Sequence, residues 1–209
     1  MEAKQIYQTI REEKIIAIVR GVSADRVIRI AEALYTGGIR LMEITCNTPG
    51  VTGMIEAVSQ AMAGKMFVGA GTVLTEKLAR EVCVAGAQYV IAPDINPAVI
   101  DFCLKGGIPV IPGAATPTEI LLAKRLGVTM IKIFPAQALG ADYIQQIRGP
   151  IDDMDFVAVG GVTEENVADF LKAGCAAAGL GGSLIKKEFI DRDDWAGLSV
   201  LAQRIKAKA

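Results

Sequence analysis

Short apolar runs alternate with longer amphipathic stretches along nearly the whole chain. Eight runs are almost entirely apolar, and they cover residues 15–19, 39–44, 66–68, 89–92, 109–111, 130–134, 156–159 and 176–180. Between the runs, apolar residues recur at helical spacing, as at Val27, Ile30, Ala31 and Leu34. Runs that are apolar throughout are typical of strands buried on both faces of a parallel sheet. The pattern predicts eight βα units, preceded by a short helix over residues 2–13.

Caps and glycines mark where the predicted helices begin and end. Residue types that cap helix N-termini precede four of the stretches, at Thr75, Asn96, Thr116 and Thr163. Helix-ending glycines stand before the next strand at Gly38, Gly86, Gly107, Gly127 and Gly174. One unit therefore recurs about every 20–40 residues, which predicts a single domain over residues 1–209. Eight such units predict a (β/α)8 TIM barrel; a doubly wound open sheet is the alternative, but the chain lacks a dinucleotide fingerprint.

Composition and charge narrow the class of protein. The chain has 209 residues, of which 52% are hydrophobic, so it can bury one sizeable core. Its 22 Lys and Arg nearly balance 23 Asp and Glu, which argues against a general nucleic-acid or membrane-surface binder. The polar first residues do not resemble a signal peptide, and no apolar run reaches the length of a membrane span. We therefore expect a cytoplasmic protein with no nucleic-acid or membrane partner.

The sequence contains no histidine. This absence excludes Ser-His-Asp triads, Cys-His pairs and His-ligated zinc sites, so proton transfer must use other side chains or water. No Cys-x-x-Cys pair occurs among the four cysteines, Cys46, Cys83, Cys103 and Cys175. We interpret them as reduced core residues, with a redox or metal role as the alternative. We expect neither a metal nor a cofactor.

Active sites on such barrels gather residues from the carboxyl ends of the strands and the following loops. Reading those ends gives the candidate site residues Arg20, Glu43, Asn47, Thr72, Pro112, Lys132, Gly160, Gly161, Gly181, Gly182 and Ser183, and the resemblance described below adds Val159. Glu43 and Lys132 are distinctive because both stand inside apolar runs, where charged residues are rare.

Lys132 lies in the middle of the run 130–134. Alternation along a strand places it on the same face as Met130 and Phe134. If this face points into the barrel, burial lowers the pKa of the ammonium group and supplies the neutral amine that Schiff-base formation needs. The alternative is a surface lysine whose stem packs on the protein while its head reaches solvent.

Glu43 is a similar anomaly at the end of the second run. A carboxyl group there either pairs with a cation, for which Lys132 and Arg20 are candidates, or has a raised pKa suited to proton transfer. A purely structural ion pair with Arg20 or Arg40 is the alternative. The lysine and the glutamate together are more specific for an active site than either residue alone.

Two glycine pairs follow the last two predicted strands, at residues 160–161 and 181–182, and Ser183 comes next. Backbone N–H groups can approach an anion closely at such positions, and this corner of a barrel often binds phosphate. The pairs therefore predict a phosphate site. Tight turns without a ligand are the alternative.

These pieces resemble one family of enzymes over essentially the whole chain. The matching stretches are residues 17–20 (AIVR), 43–45 (EIT), 69–73 (GAGTV), 111–113 (IPG), 131–136 (IKIFPA), 159–161 (VGG) and 181–183 (GGS). They occur in the order found in the 2-keto-3-deoxy-6-phosphogluconate (KDPG) aldolases, whose family includes the 4-hydroxy-2-oxoglutarate (KHG) aldolases.

The resemblance implies a metal-free class I aldolase on a (β/α)8 barrel that assembles as a homotrimer. It implies that Lys132 forms a Schiff base with the substrate's C2 carbonyl and that Glu43 is the general acid and base. Thr72 is expected to hold the pyruvate carboxylate, whereas the phosphate end is expected to contact Arg20, Gly161, Gly181, Gly182 and Ser183. The implied reaction cleaves KDPG reversibly to pyruvate and glyceraldehyde 3-phosphate, both small molecules.

Two positions depart from the phosphogluconate-specific pattern. Asn47 stands where many of those members carry arginine, and Val159 stands where they carry threonine. Both residues resemble those of the 2-keto-3-deoxy-6-phosphogalactonate aldolases. The galactonate compound, which is the C4 epimer of KDPG, is therefore an alternative substrate, as is unphosphorylated KHG. A phosphate-binding barrel isomerase or synthase explains the glycines but not Lys132 beside Glu43, and a non-catalytic scaffold is the remaining alternative.

Overall fold

The computed structural model describes residues 3–209, and a parallel sheet of nine strands forms its centre. The strands are β1 (Ile15–Val19), β2 (Leu41–Thr45), β3 (Phe67–Gly71), β4 (Val90–Ile91), β5 (Val110–Ile111), β6 (Gly113–Ala114), β7 (Met130–Ile133), β8 (Asp155–Val159) and β9 (Ala177–Leu180). The helices are α1 (Ala3–Glu13), α2 (Ala24–Thr36), α3 (Val51–Ala61), α4 (Glu76–Val84), α5 (Pro97–Lys105), α6 (Pro117–Arg125), α7 (Ala136–Leu139), α8 (Ala141–Arg148), α9 (Val167–Lys172), α10 (Lys187–Asp191) and α11 (Trp195–Ala207).

The sheet curves into a barrel that closes at Pro112. The strand order is β5-β4-β3-β2-β1-β9-β8-β7-β6, and every neighbouring pair is parallel. Just before Pro112, Val110 pairs with β4; just after it, Gly113 pairs with Lys132 on β7. Proline has no N–H for the ladder, so the strand is interrupted at Pro112: β5 lies within the apolar run 109–111, and β6 lies beyond that run. The predicted TIM-barrel class is confirmed, and the open-sheet alternative is wrong.

The apolar runs locate the strands well, with one clear error in length. The run 66–68 predicts only the first part of β3, which extends over Phe67–Gly71. Gly69 and Gly71 carry no apolar side chain, so a search for apolar runs ends too early there. The predicted helix 2–13 is observed as α1 from Ala3 to Glu13, and residue 2 lies outside the described residues.

Three of the four predicted N-caps accept hydrogen bonds from the first turn of their helices. The side chains of Thr75, Asn96 and Thr116 accept from backbone N–H groups of α4, α5 and α6. The prediction for Thr163 is wrong, because α9 begins only at Val167. Thr163 instead accepts from the N–H of Glu165 in the turn that precedes this helix.

Apolar residues form two layers, one inside the barrel and one between the strands and the surrounding helices. On β7, Met130 packs inside, whereas Ile131 and Ile133 face the helices. Ile6 and Ile10 of α1 pack with the inner layer. No helix within residues 3–209 is long and apolar enough to cross a membrane.

Candidate active site

Lys132 and Glu43 both lie inside the barrel, on β7 and β2. Their side chains are 4% and 1% exposed, so the surface-lysine alternative for Lys132 is wrong. The Nζ atom of Lys132 lies 4.9 Å from the centre of the Phe134 ring, close enough for a cation–π contact. Alternation on β7 therefore aims Met130, Lys132 and Phe134 to one side, as predicted.

Burial shifts the pKa values of Lys132 and Glu43 toward each other, because it lowers that of the amine and raises that of the carboxyl group. Desolvation lowers the pKa of the Lys132 amine, opposed by the carboxylate of Glu43 and reinforced by Arg20. Desolvation raises the pKa of Glu43 to about 7, although the positive charges of Lys132 and, to a smaller extent, Arg20 act to lower it. A carboxyl group with such a pKa can both accept and donate a proton near neutral pH.

No ion pair of Glu43 occurs within the described part of the chain, and its Oε2 atom is buried without a hydrogen-bond partner. Arg40 instead stacks on Tyr35 and donates to its carbonyl oxygen. The alternative of a structural ion pair with Arg20 or Arg40 is therefore wrong. A buried carboxyl oxygen with no partner is costly, so such a group is more typical of a functional site than of a structural one.

The glycines of β3 make room for this carboxyl group. A Cβ atom at Gly71 would lie 2.5 Å from Oε1 of Glu43, and one at Gly69 would lie 2.3 Å from the Tyr89 ring. Both distances are shorter than any side chain tolerates. The residues that the apolar pattern fails to assign to β3 are thus the ones that let Glu43 and Tyr89 fill the barrel.

A cavity of about 560 Å³ opens at the carboxyl ends of the strands, with Lys132 in its wall. The structure brings together there ten of the twelve predicted site residues: Arg20, Asn47, Thr72, Lys132, Val159, Gly160, Gly161, Gly181, Gly182 and Ser183. Glu43 is buried and does not contribute to the wall. Pro112 is also buried away from the wall, and its carbonyl oxygen accepts the N–H of Lys132 over 2.9 Å.

Sequence reasoning missed several apolar members of the wall, including Ile18, Phe134 and Ile185. Ile18 lies near the end of β1 and Ile185 lies in the loop after β9, and both look like ordinary core residues in the sequence, so no signal separates them from their neighbours. Phe134 had a usable signal, since it shares the face of Lys132. Its ring is 40% exposed, which is unusual for a phenylalanine next to a buried strand.

Different structural features account for glycine in the two pairs. Gly160 and Gly161 adopt φ of 94° and 76°, a backbone region that favours glycine, so turn geometry alone accounts for them. Gly182 has no such φ, and a Cβ atom there would meet nothing within 4 Å. Neither strain nor packing therefore requires glycine at 182, and its backbone is open toward the cavity. Arg20 is exposed on the same cavity and forms no ion pair within residues 3–209.

The cysteines are free thiols, two of them buried. Burial raises the pKa of Cys46 to about 11 and those of Cys103 and Cys175 to about 12, so none is a ready thiolate at neutral pH. Across residues 3–209, no group of three or more Cys, Asp or Glu side chains is arranged to hold a metal ion.

A parallel barrel with an amine and a carboxyl group buried below an open cavity is the arrangement of an enzyme that acts on carbonyl compounds. The sequence model of the KDPG and KHG aldolases matches residues 6–201. The chain belongs to the KDPG and KHG aldolase family, and it is therefore a lyase.

Named relatives act on more than one sugar acid. The chain is 34% identical over 200 residues to the 2-dehydro-3-deoxy-phosphogluconate aldolase of Treponema pallidum, which covers 95% of both chains. It is 38% identical over 173 residues to the 2-dehydro-3-deoxy-6-phosphogalactonate aldolase of Escherichia coli, covering 82% of this chain and 84% of the relative. A solved KDPG aldolase of Legionella pneumophila, with pyruvate captured as a covalent carbinolamine, superposes with a TM-score of 0.89 at 27% identity, covering 94% and 96% of the two chains.

Proposed function

We propose that this chain cleaves KDPG reversibly to pyruvate and glyceraldehyde 3-phosphate through a Schiff base on Lys132. The observation that carries the proposal is the burial of Lys132 in the cavity wall, close enough to the buried Glu43 for the charge of each group to shift the pKa of the other. Burial lowers the pKa of the amine, which makes the neutral nucleophile accessible. The carbinolamine of the Legionella relative supports the same covalent chemistry here.

The proposed reaction needs one nucleophile and one proton carrier. The amine of Lys132 attacks the C2 carbonyl, and loss of water from the carbinolamine leaves an iminium ion. The C4 hydroxyl gives its proton to Glu43 through a water molecule; the C3–C4 bond then breaks, and its electron pair forms the enamine as the aldehyde leaves. Glu43 returns a proton to C3, and hydrolysis releases pyruvate and the free amine. The covalent intermediate divides one difficult carbanion step into easier ones.

The rest of the cavity supplies partners for the two anionic ends of the substrate. Thr72, which adopts a φ of 58°, is proposed to hold the pyruvate carboxylate. The guanidinium of Arg20 and the open backbone at Gly182 suit a phosphate group, because both line the cavity and can offer N–H donors to an anion there. A barrel isomerase or synthase would share this phosphate corner but would have no use for the buried amine.

The galactonate epimer is the second candidate substrate, because two specific residues favour it. Asn47 and Val159 both line the cavity, and both resemble the residues of galactonate-type aldolases. Val159 presents methyl groups where a threonine hydroxyl could bond to the C4 hydroxyl of one epimer. We therefore propose that discrimination between the C4 epimers is weak. Unphosphorylated KHG is proposed as a poorer substrate, because it has no phosphate for Arg20.

Pyruvate release from each epimer, measured with lactate dehydrogenase, tests the proposed substrates. We expect kcat/KM for the two epimers of the wild type to lie within about tenfold of each other, since an apolar pocket discriminates poorly. Val159→Thr is expected to shift the ratio by about tenfold toward the gluconate epimer, because a new hydrogen bond contributes about 1 kcal/mol or more. Val200→Thr on the exposed face of α11 is the matched control. An unchanged ratio in Val159→Thr would contradict this account of Val159.

We propose that the chain assembles as a homotrimer through one side of the barrel. Exposed apolar side chains accumulate there on or beside the consecutive helices α4, α5 and α6, at Leu74, Val84, Leu104 and Leu122. Val84 is 87% exposed, which is costly for an isolated chain in water. Light scattering on the purified protein is expected to give the mass of three chains, and Val84→Asp is expected to lower it. A wild-type mass of one chain would refute the assembly.

A further inference from the structure

Four polar or charged side chains are buried within the described residues, and the proposed reaction uses only two of them. Glu43 and Lys132 have roles in it, whereas Thr45 and Thr48 do not. Thr48 is 3% exposed although it lies in the loop after β2, between the exposed residues Asn47 and Pro49. A buried hydroxyl between two exposed residues calls for a partner that keeps it there.

That partner belongs to a different loop. The N–H of Gly21 donates to Oγ1 of Thr48 over 3.0 Å, joining the loop after β1 to the loop after β2. Oγ1 of Thr45 lies 3.3 Å from Oγ1 of Thr48 and orients its hydroxyl. A second bond, from the N–H of Thr48 to the carbonyl oxygen of Thr45, shapes the second loop by backbone alone.

The hydrogen bond from Gly21 to Thr48 constrains the backbone of Arg20. The N–H of Gly21 belongs to the peptide unit that also contains the carbonyl group of Arg20, so holding this N–H fixes the direction in which the Arg20 side chain leaves the backbone. Arg20 has no ion pair within residues 3–209 that could hold it instead. Gly21 itself is unconstrained by packing, since a Cβ atom there would meet nothing within 4 Å.

We propose that Thr48 is a positioning residue that aims Arg20 at the phosphate end of the substrate. The inference rests on the proposed function, because it assigns Arg20 to that phosphate. Removing the hydroxyl releases the Arg20 loop but leaves the backbone bond between Thr48 and Thr45, and therefore the position of Asn47, in place. Thr48 thus governs binding of the phosphorylated substrate and has no part in the covalent chemistry at Lys132.

Thr48→Val tests the proposal, because valine keeps the shape and loses the hydroxyl. We expect KM for the phosphorylated substrate to rise about tenfold, the upper end of the effect expected from the loss of one hydrogen bond. The exchange of pyruvate methyl protons with deuterated water, followed by NMR, is expected to stay within about twofold of wild type, since pyruvate carries no phosphate. Thr48→Ser keeps the hydroxyl and is expected to restore the wild-type KM.

Two controls separate positioning from general damage. Thr36→Val removes a hydroxyl from the far end of α2, where it donates to Glu32, and is expected to change neither readout. Thr48→Cys repeats the test with a weaker acceptor should Thr48→Val fail to fold. An unchanged KM, or a parallel loss of cleavage and pyruvate exchange, would overturn the role of Thr48. A wild-type protein that does not exchange pyruvate protons would instead refute the proposed function.

Discussion

Lys132→Met is expected to abolish cleavage, lowering kcat/KM by about 10⁴-fold or more. Methionine has nearly the length of the lysine side chain and suits its apolar surroundings inside the barrel, so the fold is expected to survive. It cannot form an imine, however, and no other described lysine is buried. The loss therefore reports the missing nucleophile, and pyruvate release from both epimers measures it.

The comparison variant for this experiment is Lys77→Met, which changes an exposed lysine of α4. It is expected to retain wild-type activity. Circular dichroism on both variants establishes that the barrel is intact. Appreciable turnover by folded Lys132→Met would mean that the reaction does not pass through an imine on this residue.

Glu43→Gln is expected to slow cleavage by about 10²–10⁴-fold, the range attributed to general acid–base catalysis. Glutamine fits the space above Gly71 that the carboxyl group occupies, yet it cannot carry a proton. Schiff-base formation with pyruvate is expected to persist, because Lys132 is unchanged. Pyruvate proton exchange should fall together with cleavage, since both need a proton carrier at C3.

The same substitution is expected to stabilise the fold at alkaline pH. Burial raises the pKa of Glu43 from 4.5 to about 7, so the folded protein holds a proton that the unfolded chain releases between these values. Stability therefore falls as the pH rises from about 4.5 to about 7, and this cost persists above pH 7. Glutamine stays neutral and avoids it, which corresponds to as much as about 3 kcal/mol at pH 8.

Urea unfolding of wild type and Glu43→Gln at pH 4 and pH 8 measures this effect on stability. The difference in unfolding free energy should be small at pH 4 and favour Glu43→Gln at pH 8. Glu56→Gln on the exposed face of α3 supplies the reference for a glutamate in water and is expected to show neither effect. A difference that is the same at both pH values would mean that Glu43 has the same pKa in the folded and unfolded states, and would contradict the raised pKa.

The barrel was largely predictable because its strands are buried on both faces. Such strands must be apolar throughout, and this leaves a visible mark in the sequence. The apolar pattern fails to predict the whole of β3, because Gly69 and Gly71 have no side chains and so leave room for Tyr89 and Glu43 in the interior. It also fails after Pro112, where β6 lies beyond the apolar run 109–111 and pairs with β7 instead of β4.

The site divides in the same way between residues that break a pattern and residues that do not. Lys132 and Glu43 were predictable because charged side chains are rare in strands that are buried on both faces. Thr48 was not predictable, because a threonine in a loop is ordinary and its partner, Gly21, lies 27 residues away. Ile18 and Ile185 were missed for the opposite reason, since buried apolar residues in or after a strand are what the core itself requires.

The measurement that tests the proposed chemistry most directly is a trapping experiment. The protein is incubated with pyruvate, reduced with borohydride, weighed intact and then mapped by peptide mass spectrometry. We expect one reduced pyruvate adduct per chain, located on Lys132, and the same adduct in Glu43→Gln. A folded protein that acquires no adduct, or acquires it on another lysine, would contradict a Schiff base at the buried amine.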